Sequence, residues 1–426
     1  MIFQFIIILA ALSFTRYIIQ RQTIFKENVL WTVFILKIVF SISLGLVYIF
    51  YYEGGDTLSF HQDAHNFSSY LKAYPNHFFD IYFNTASIPL LEEHLIYSSN
   101  EPRALFFSKV LSFIYLFTNS SYWISSAFVA CLGFWCSLAL LFELQKVKVN
   151  LVLPVFFAIL LYPSTLFWTS GLLKESLMMI SIFGLTYSFL NLYRKKRIEI
   201  ITAFTFLLSV LMLFFLKYYI LGLLVAFVFP SCFVVLLVRF NLLKQKFLTP
   251  LWLILTLIFL FGGTFLHPNL SFHSFLDVLV RNHNLTLSLN NTAEGIIVFH
   301  DLEPTVMSLI ANSPKALISG LFRPFPWEVY SYTAIMASLE NVVLLFLLLT
   351  SILKVKKIEL TYMNLITLSA LIYIFASCIL LSISTPNLGS LSRYKVAFSP
   401  FLLTLILSSS WFRSKMERFE KTIIVK

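Results

Sequence analysis

Unbroken apolar runs of about 17 to 25 residues recur along the chain, and a run of that length crosses roughly 30 Å of hydrocarbon as a helix. They lie near residues 2–20, 29–51, 122–143, 150–169, 174–193, 198–216, 218–238, 249–267, 334–353, 360–383 and 395–411. In lipid a backbone satisfies its own hydrogen bonds only as a helix or a closed barrel. Barrel strands alternate apolar and polar residues; these runs do not, so a barrel is excluded. Charged residues make up 12% of the chain, against roughly 25% in soluble domains. The sequence therefore predicts an all-α, polytopic transmembrane bundle of about eleven spans.

The net charge of +11 would suggest nucleic acid in a soluble protein. Here the basic residues sit in short clusters between apolar runs, with no basic stripe or basic domain, so nucleic acid is excluded as a partner. The clusters are Arg16/Arg21/Lys26, Lys146/Lys148, Arg194–Arg197, Arg239/Lys244/Lys246, Lys354/Lys356/Lys357 and the tail after Arg413. Placed together on the cytoplasmic side of the inner membrane, they put the N-terminus outside and the C-terminus inside. The layout is an extra N-terminal helix with its basic loop (1–28), a main transmembrane domain (29–412) and a basic tail (413–426). The first run lacks a basic leader and a small-residue cleavage site, so it reads as a retained helix. Residues 104–117 are apolar but short, with Lys109 in their middle; they are expected to lie in the outer interface as an amphipathic helix. Cys131, Cys136, Cys232 and Cys378 all fall in apolar runs without metal or disulfide spacing.

This topology leaves two long outer loops, near 52–121 and 268–333, and all eight histidines lie in or beside them. The first opens with Glu53-Gly54-Gly55-Asp56. Paired glycines let the chain turn sharply at the membrane exit and hold Asp56 over the mouth of the bundle. Phe60, Ala64, Phe67 and Leu71 recur at helical spacing and predict an interfacial helix from about residue 58 to 74. Asp56 either caps that helix or takes a proton from an acceptor hydroxyl, with Asp63 as second choice. His61 and His65, four apart on one face, have a spacing that binds metal, though no third ligand is evident; a divalent metal is the one cofactor the sequence admits. Glu92, Glu93, Glu101 and Arg103 follow in the same loop.

Further outward groups are the Lys174–Glu175 pair, the Arg323-Pro324-Phe325-Pro326-Trp327-Glu328 turn, and Arg393 with Lys395. Lys174 is either a snorkelling anchor or a cation for a phosphate arriving from lipid. Trp327 is either a belt residue or a platform for a sugar ring, with Arg323 clamping phosphate oxygens. Lys174, Lys217, Arg323, Arg393 and Lys395 all break the positive-inside pattern, which is costly, and a shared anionic ligand explains them together. No nucleotide-binding glycine loop appears on the cytoplasmic side. Lys37 and Glu340 are the main ionisable residues expected within spans, where a coupled transporter would use them and where they could instead snorkel or pair.

An acidic first outer loop after a span, an interfacial helix and a many-helix bundle resemble the C-type integral-membrane glycosyltransferases (GT-C). The segments YPSTLFWTSGLLKESL, LFRPFPWE and NLGSLSRYKVAFSPFLL are similar to those of bacterial proteins of cell-surface polysaccharide synthesis. The resemblance covers most of the chain after residue 29. It implies a GT-C-like fold, a polyprenyl-phosphate-linked sugar donor, a glycan or lipid-linked acceptor and inverting transfer on the outer face. The base would be Asp56, with Asp63 assisting. Arg323, Arg393, Lys395 and Lys174, with Glu175 and Glu328 beside them, would hold the phosphate, and Trp327 would stack on sugar. The tandem Asp-Glu of several such families is absent, because Thr57 follows Asp56. Rival expectations are a repeat-unit polymerase, in which Arg323 or Arg393 dominates, and a flippase of lipid-linked glycan, which needs no outward base.

Overall fold

The computed structural model describes residues 2–83, 95–98, 100–271, 274–289, 295–299, 301–329, 331–354 and 365–424. Glu92, Glu93, His94, His273 and His300 lie outside the described residues. The protein is all-α, 84% helical, with no strand among the described residues. Among the described residues, seven helical stretches are long and apolar enough to cross a membrane: Glu27–Tyr51, Tyr122–Leu160, Lys174–Lys195, Ile200–Arg239, Gln245–Gly263, Tyr332–Lys354 and Leu365–Ser384. It is a multi-pass membrane protein.

Two of those stretches double back. In Ile200–Arg239, Lys217 leaves helical geometry (φ −149°, ψ 61°). Phe206 and Phe229 would stand about 35 Å apart on a straight helix, yet their rings are 6.3 Å apart. The chain thus forms a hairpin with Lys217 at its apex, and Arg239 returns to donate to the Tyr193 carbonyl at 3.1 Å. In Tyr122–Leu160 a 3-10 turn at Val149–Leu151 breaks the helix, and beyond it Thr169 comes back against Gly133. Each stretch therefore holds two of the segments read from the sequence. The expected 2–20 run is helix α1 (Ile2–Arg21), which is not among the seven. The 395–411 run is a 3-10 turn followed by the nine-residue helix Ser399–Leu407, about half the length that a crossing needs.

Helix α2 (Glu27–Leu46) continues through a π-helical turn to Tyr51 and leads into α3 (Asp56–Ala73). Phe60, Ala64, Phe67 and Leu71 form the buried face of α3, as their spacing predicts. After the short α4 (Phe78–Phe83), α5 (Pro102–Thr118) packs along α3. Phe106 at the start of α5 stacks on Phe215 near the hairpin apex (4.8 Å). Thr118 at its end reaches Ser125 and Gln4, near the starts of α6 (Tyr122–Lys148) and α1. The helix lies across one end of the bundle, between the hairpin apex and the starts of α1 and α6. Its Lys109 is nonetheless buried, donating to the Tyr82 carbonyl at 3.3 Å beneath α4.

The remaining helices that position the site are α7 (Val152–Leu160), α8 (Pro163–Trp168), α9 (Lys174–Lys195) and the hairpin α10 (Ile200–Leu223) with α11 (Phe229–Arg239). Next come α12 (Leu248–Gly263), α13 (Phe275–Leu289), α14 (Val306–Phe322), α15 (Tyr332–Lys354), α16 (Leu365–Ser384) and α17 (Leu388–Tyr394). At the end opposite α3 and α5, Glu143 gathers Lys146 and Arg194, which ties the basic ends of α6 and α9 together. The basic tail is itself helical (α18 is Ser399–Leu407 and α19 Ser410–Ile423), and it docks on the turn after α1 through a Phe25–Ile424 bridge.

Candidate functional site

The turn out of α2 sets Asp56 in place. Gly55 adopts φ 104° with ψ −172°, a conformation open to glycine and strained for other residues. A side chain there would also meet the Tyr48 ring at 3.1 Å. Gly55 serves as the N-cap of α3, and no side chain caps the helix. The Asp56 carboxylate, free of any capping task, instead ion-pairs with Arg393 (Oδ2 to Nη1, 2.7 Å) and keeps a side-chain exposure of 45%.

Arg393 is buried near the end of α17, whose start is capped by Asn387 accepting from the Ser390 N–H at 3.0 Å. Its guanidinium also donates to the Tyr48 and Tyr394 hydroxyls, both at 3.2 Å, and lies 3.5 Å from Glu175. Glu175, 1% exposed at the start of α9, pairs with Lys217 at 3.1 Å. Lys217 sits over the Tyr394 ring, 3.8 Å from its centroid, a distance at which a desolvated cation is strongly attracted to the ring face. Beside them Glu101 pairs with Lys174 (3.2 Å) and Arg103 (3.3 Å), and Lys174 stands over the Phe60 ring. The cluster thus sets four cations (Arg103, Lys174, Lys217, Arg393) against three carboxylates (Asp56, Glu101, Glu175), a surplus of one positive charge. One Glu175 oxygen has no hydrogen-bond partner. The arrangement can hold an anion at the mouth of the bundle and offers one half-exposed carboxylate beside it.

Among the residues singled out in the sequence, Asp56, Arg393, Lys174 and Glu175 come together here. Arg323 and Lys395 do not join them. Arg323 ends in a two-pronged pair with Glu328 (2.6 and 2.9 Å). Lys395 is buried and donates to the carbonyls of Leu321 and Arg323 and to Asn341 Oδ1, so its three protons are all used within the protein. Trp327, 79% exposed, stacks on Phe325 with ring centroids 4.9 Å apart. The sequence marked Lys217 only as an outward basic residue; its place at the heart of the cluster follows from the hairpin apex.

Asp63 turns into the protein. It is fully buried and accepts from the backbone N–H groups of Tyr97 (2.8 Å) and Ser98 (3.0 Å), which fastens residues 95–98 to α3. Asp63→Asn would turn an amide donor towards one of these N–H groups, and it is expected to cost about 1–3 kcal/mol of stability. A thermal melt of the purified variant in nanodiscs checks this, and an unchanged midpoint would refute it. His61 donates to or accepts from the Tyr115 hydroxyl through Nδ1 (2.6 Å), and burial together with the neighbouring His65 holds its pKa below the ordinary imidazole value. The His61 and His65 rings are 6.4 Å apart and tilted. Among the described residues no group of three or more His, Cys, Asp or Glu side chains gathers.

No family model matches the chain, and no curated protein or solved structure is found to match it.

Proposed function

We propose that this protein is a membrane glycosyltransferase that moves a sugar from a polyprenyl-phosphate donor to a glycan or lipid-linked acceptor. Its GT-C-like bundle sits in the inner membrane with the Asp56 end outward, and its product serves cell-surface polysaccharide synthesis. The observation that carries this reading is the half-exposed Asp56 carboxylate held 2.7 Å from a buried arginine, at the edge of a cluster with surplus positive charge. A lipid-phosphate donor presents its anion at bilayer depth, where outward cations are costly unless they serve a ligand. A phosphate reaching Arg393 competes with Asp56 for the guanidinium and frees the carboxylate for the acceptor hydroxyl. Asp56 then takes the hydroxyl proton while the acceptor oxygen bonds to the anomeric carbon. The bond from that carbon to the phosphate oxygen breaks, with inversion. Arg393, Lys174 and Lys217 offset the charge left on the departing phosphate.

The test is transfer from radiolabelled polyprenyl-phosphate sugars by purified protein in liposomes, with Asp56→Asn alongside. Product from the wild type alone supports the reading. Equal product from both removes Asp56 from the mechanism. No product from either across a panel of donors shifts the reading to a polymerase or a flippase.

A further inference from the structure

Among the described residues, Lys37 and Glu340 are ionisable groups set well inside membrane-crossing helices, and neither belongs to the Asp56 cluster. Lys37 lies ten residues, about 15 Å, beyond the first residue of α2, and Glu340 lies eight residues, about 12 Å, beyond the first residue of α15. They do not pair with each other. Both bind α8, a six-residue helix, one at each end. The Glu340 carboxylate accepts from the Ser164 N–H at 2.9 Å, and the Tyr162 hydroxyl lies beside it. The Lys37 ammonium, 2% exposed, donates to the Thr169 carbonyl (3.4 Å), the Thr169 hydroxyl (3.2 Å) and the Ser170 hydroxyl (3.3 Å). Gly133 lets the lysine in: a methyl group there would stand 3.0 Å from its Cε.

A helix break within the apolar layer leaves N–H groups at one end and carbonyls at the other, with no water to satisfy them. A carboxylate can only accept and an ammonium can only donate, so each charge stands at the end that needs it. We infer that Glu340 and Lys37 are positioning residues that clamp α8 and thereby fix the non-helical link 169–173 that delivers Lys174 and Glu175 to the anion cluster. The consequence for the donor rests on the proposed function; the clamp itself does not.

Hydrogen–deuterium exchange of the full chain in nanodiscs tests the clamp, with donor binding and transfer kinetics measured on the same samples. Lys37→Met and Glu340→Leu are each expected to speed exchange across residues 164–173 by about tenfold, leaving 180–195 unchanged. Glu340→Gln, which keeps an acceptor oxygen, is expected to retain most of the protection. So is Lys37→Gln, which keeps a donor and also stands in if the methionine variant does not accumulate. The exchanged pair Lys37→Glu with Glu340→Lys is expected to be as unprotected as the worse single variant, because donor would face donor and acceptor would face acceptor. Restored protection in the exchanged pair, or unchanged protection in both single variants, would overturn the inference. Loosened exchange with a donor KM raised about tenfold and kcat changed less supports the clamp and its role at the donor site. Loosened exchange with donor binding untouched keeps the clamp and sinks the donor reading of Lys174 and Glu175 instead.

Discussion

With Asn at position 56, kcat for sugar transfer is expected to fall by about two to four orders of magnitude, the range that a positioned general base contributes, while donor KM moves less than tenfold. The substitution is close to isosteric and removes the proton acceptor while leaving its surroundings in place. Gly55, not the Asp56 side chain, caps α3, so the helix start survives. Arg393 keeps its contacts to Tyr48, Tyr394 and Glu175, so the phosphate partner also survives. Steady-state kinetics across donor and acceptor concentrations separate the alternatives. A large fall in kcat at near-constant donor KM assigns Asp56 to proton transfer. A raised donor KM with kcat intact would mean that Asp56 only tunes Arg393. Unchanged kinetics would remove it from the site.

Topogenic cost made part of this site legible in advance. Arg393, Lys174 and Lys217 stand out because the topology expected from the sequence sets them opposite the other basic clusters, which needs a reason, and all three meet in one cluster. The same rule also marked Arg323 and Lys395, since it reports which side a residue lies on and not where its side chain goes. Lys395 follows Arg393 by two residues, and residues two apart on a helical turn do not face each other. Arg393 turns to Asp56 and Lys395 turns to the Leu321 and Arg323 carbonyls. The hairpin at Lys217 was readable as two apolar runs meeting at one basic residue. That Lys217 pairs with Glu175 was not, because nothing local says which helix start the apex touches. Asp63 misled for a similar reason. Its spacing from Asp56 suits a shared helix face, but only the tertiary fold shows residues 95–98 covering it. The face of α3 was read correctly because a buried stripe is a local, periodic property.

The other large effect is expected at Glu175. Glu175→Gln strips the buried carboxylate from Lys217 at 3.1 Å and from Arg393 at 3.5 Å, leaving two buried cations with only the half-exposed Asp56 as an acid. Breaking a buried pair by removing one partner costs about 3–5 kcal/mol, against a total stability of about 5–15 kcal/mol for typical domains. Lys217→Met should cost less, because Glu175 keeps Arg393. The double variant should recover much of the loss, since no uncompensated charge remains from the pair. Unfolding midpoints in nanodiscs give the order: wild type, then Lys217→Met and the double variant, then Glu175→Gln lowest. The ligand sharpens the test. If a phosphate binds among these cations, it supplies the negative charge that Glu175→Gln lacks, so a polyprenyl phosphate should raise the midpoint of that variant more than that of the wild type. An equal shift in both would mean that the phosphate does not reach Arg393 and Lys217. The buried pair would then serve to hold α9 against the hairpin and α17, and the anion site would have to be sought at Arg103, the most exposed of the four cations, with Lys174 beside it.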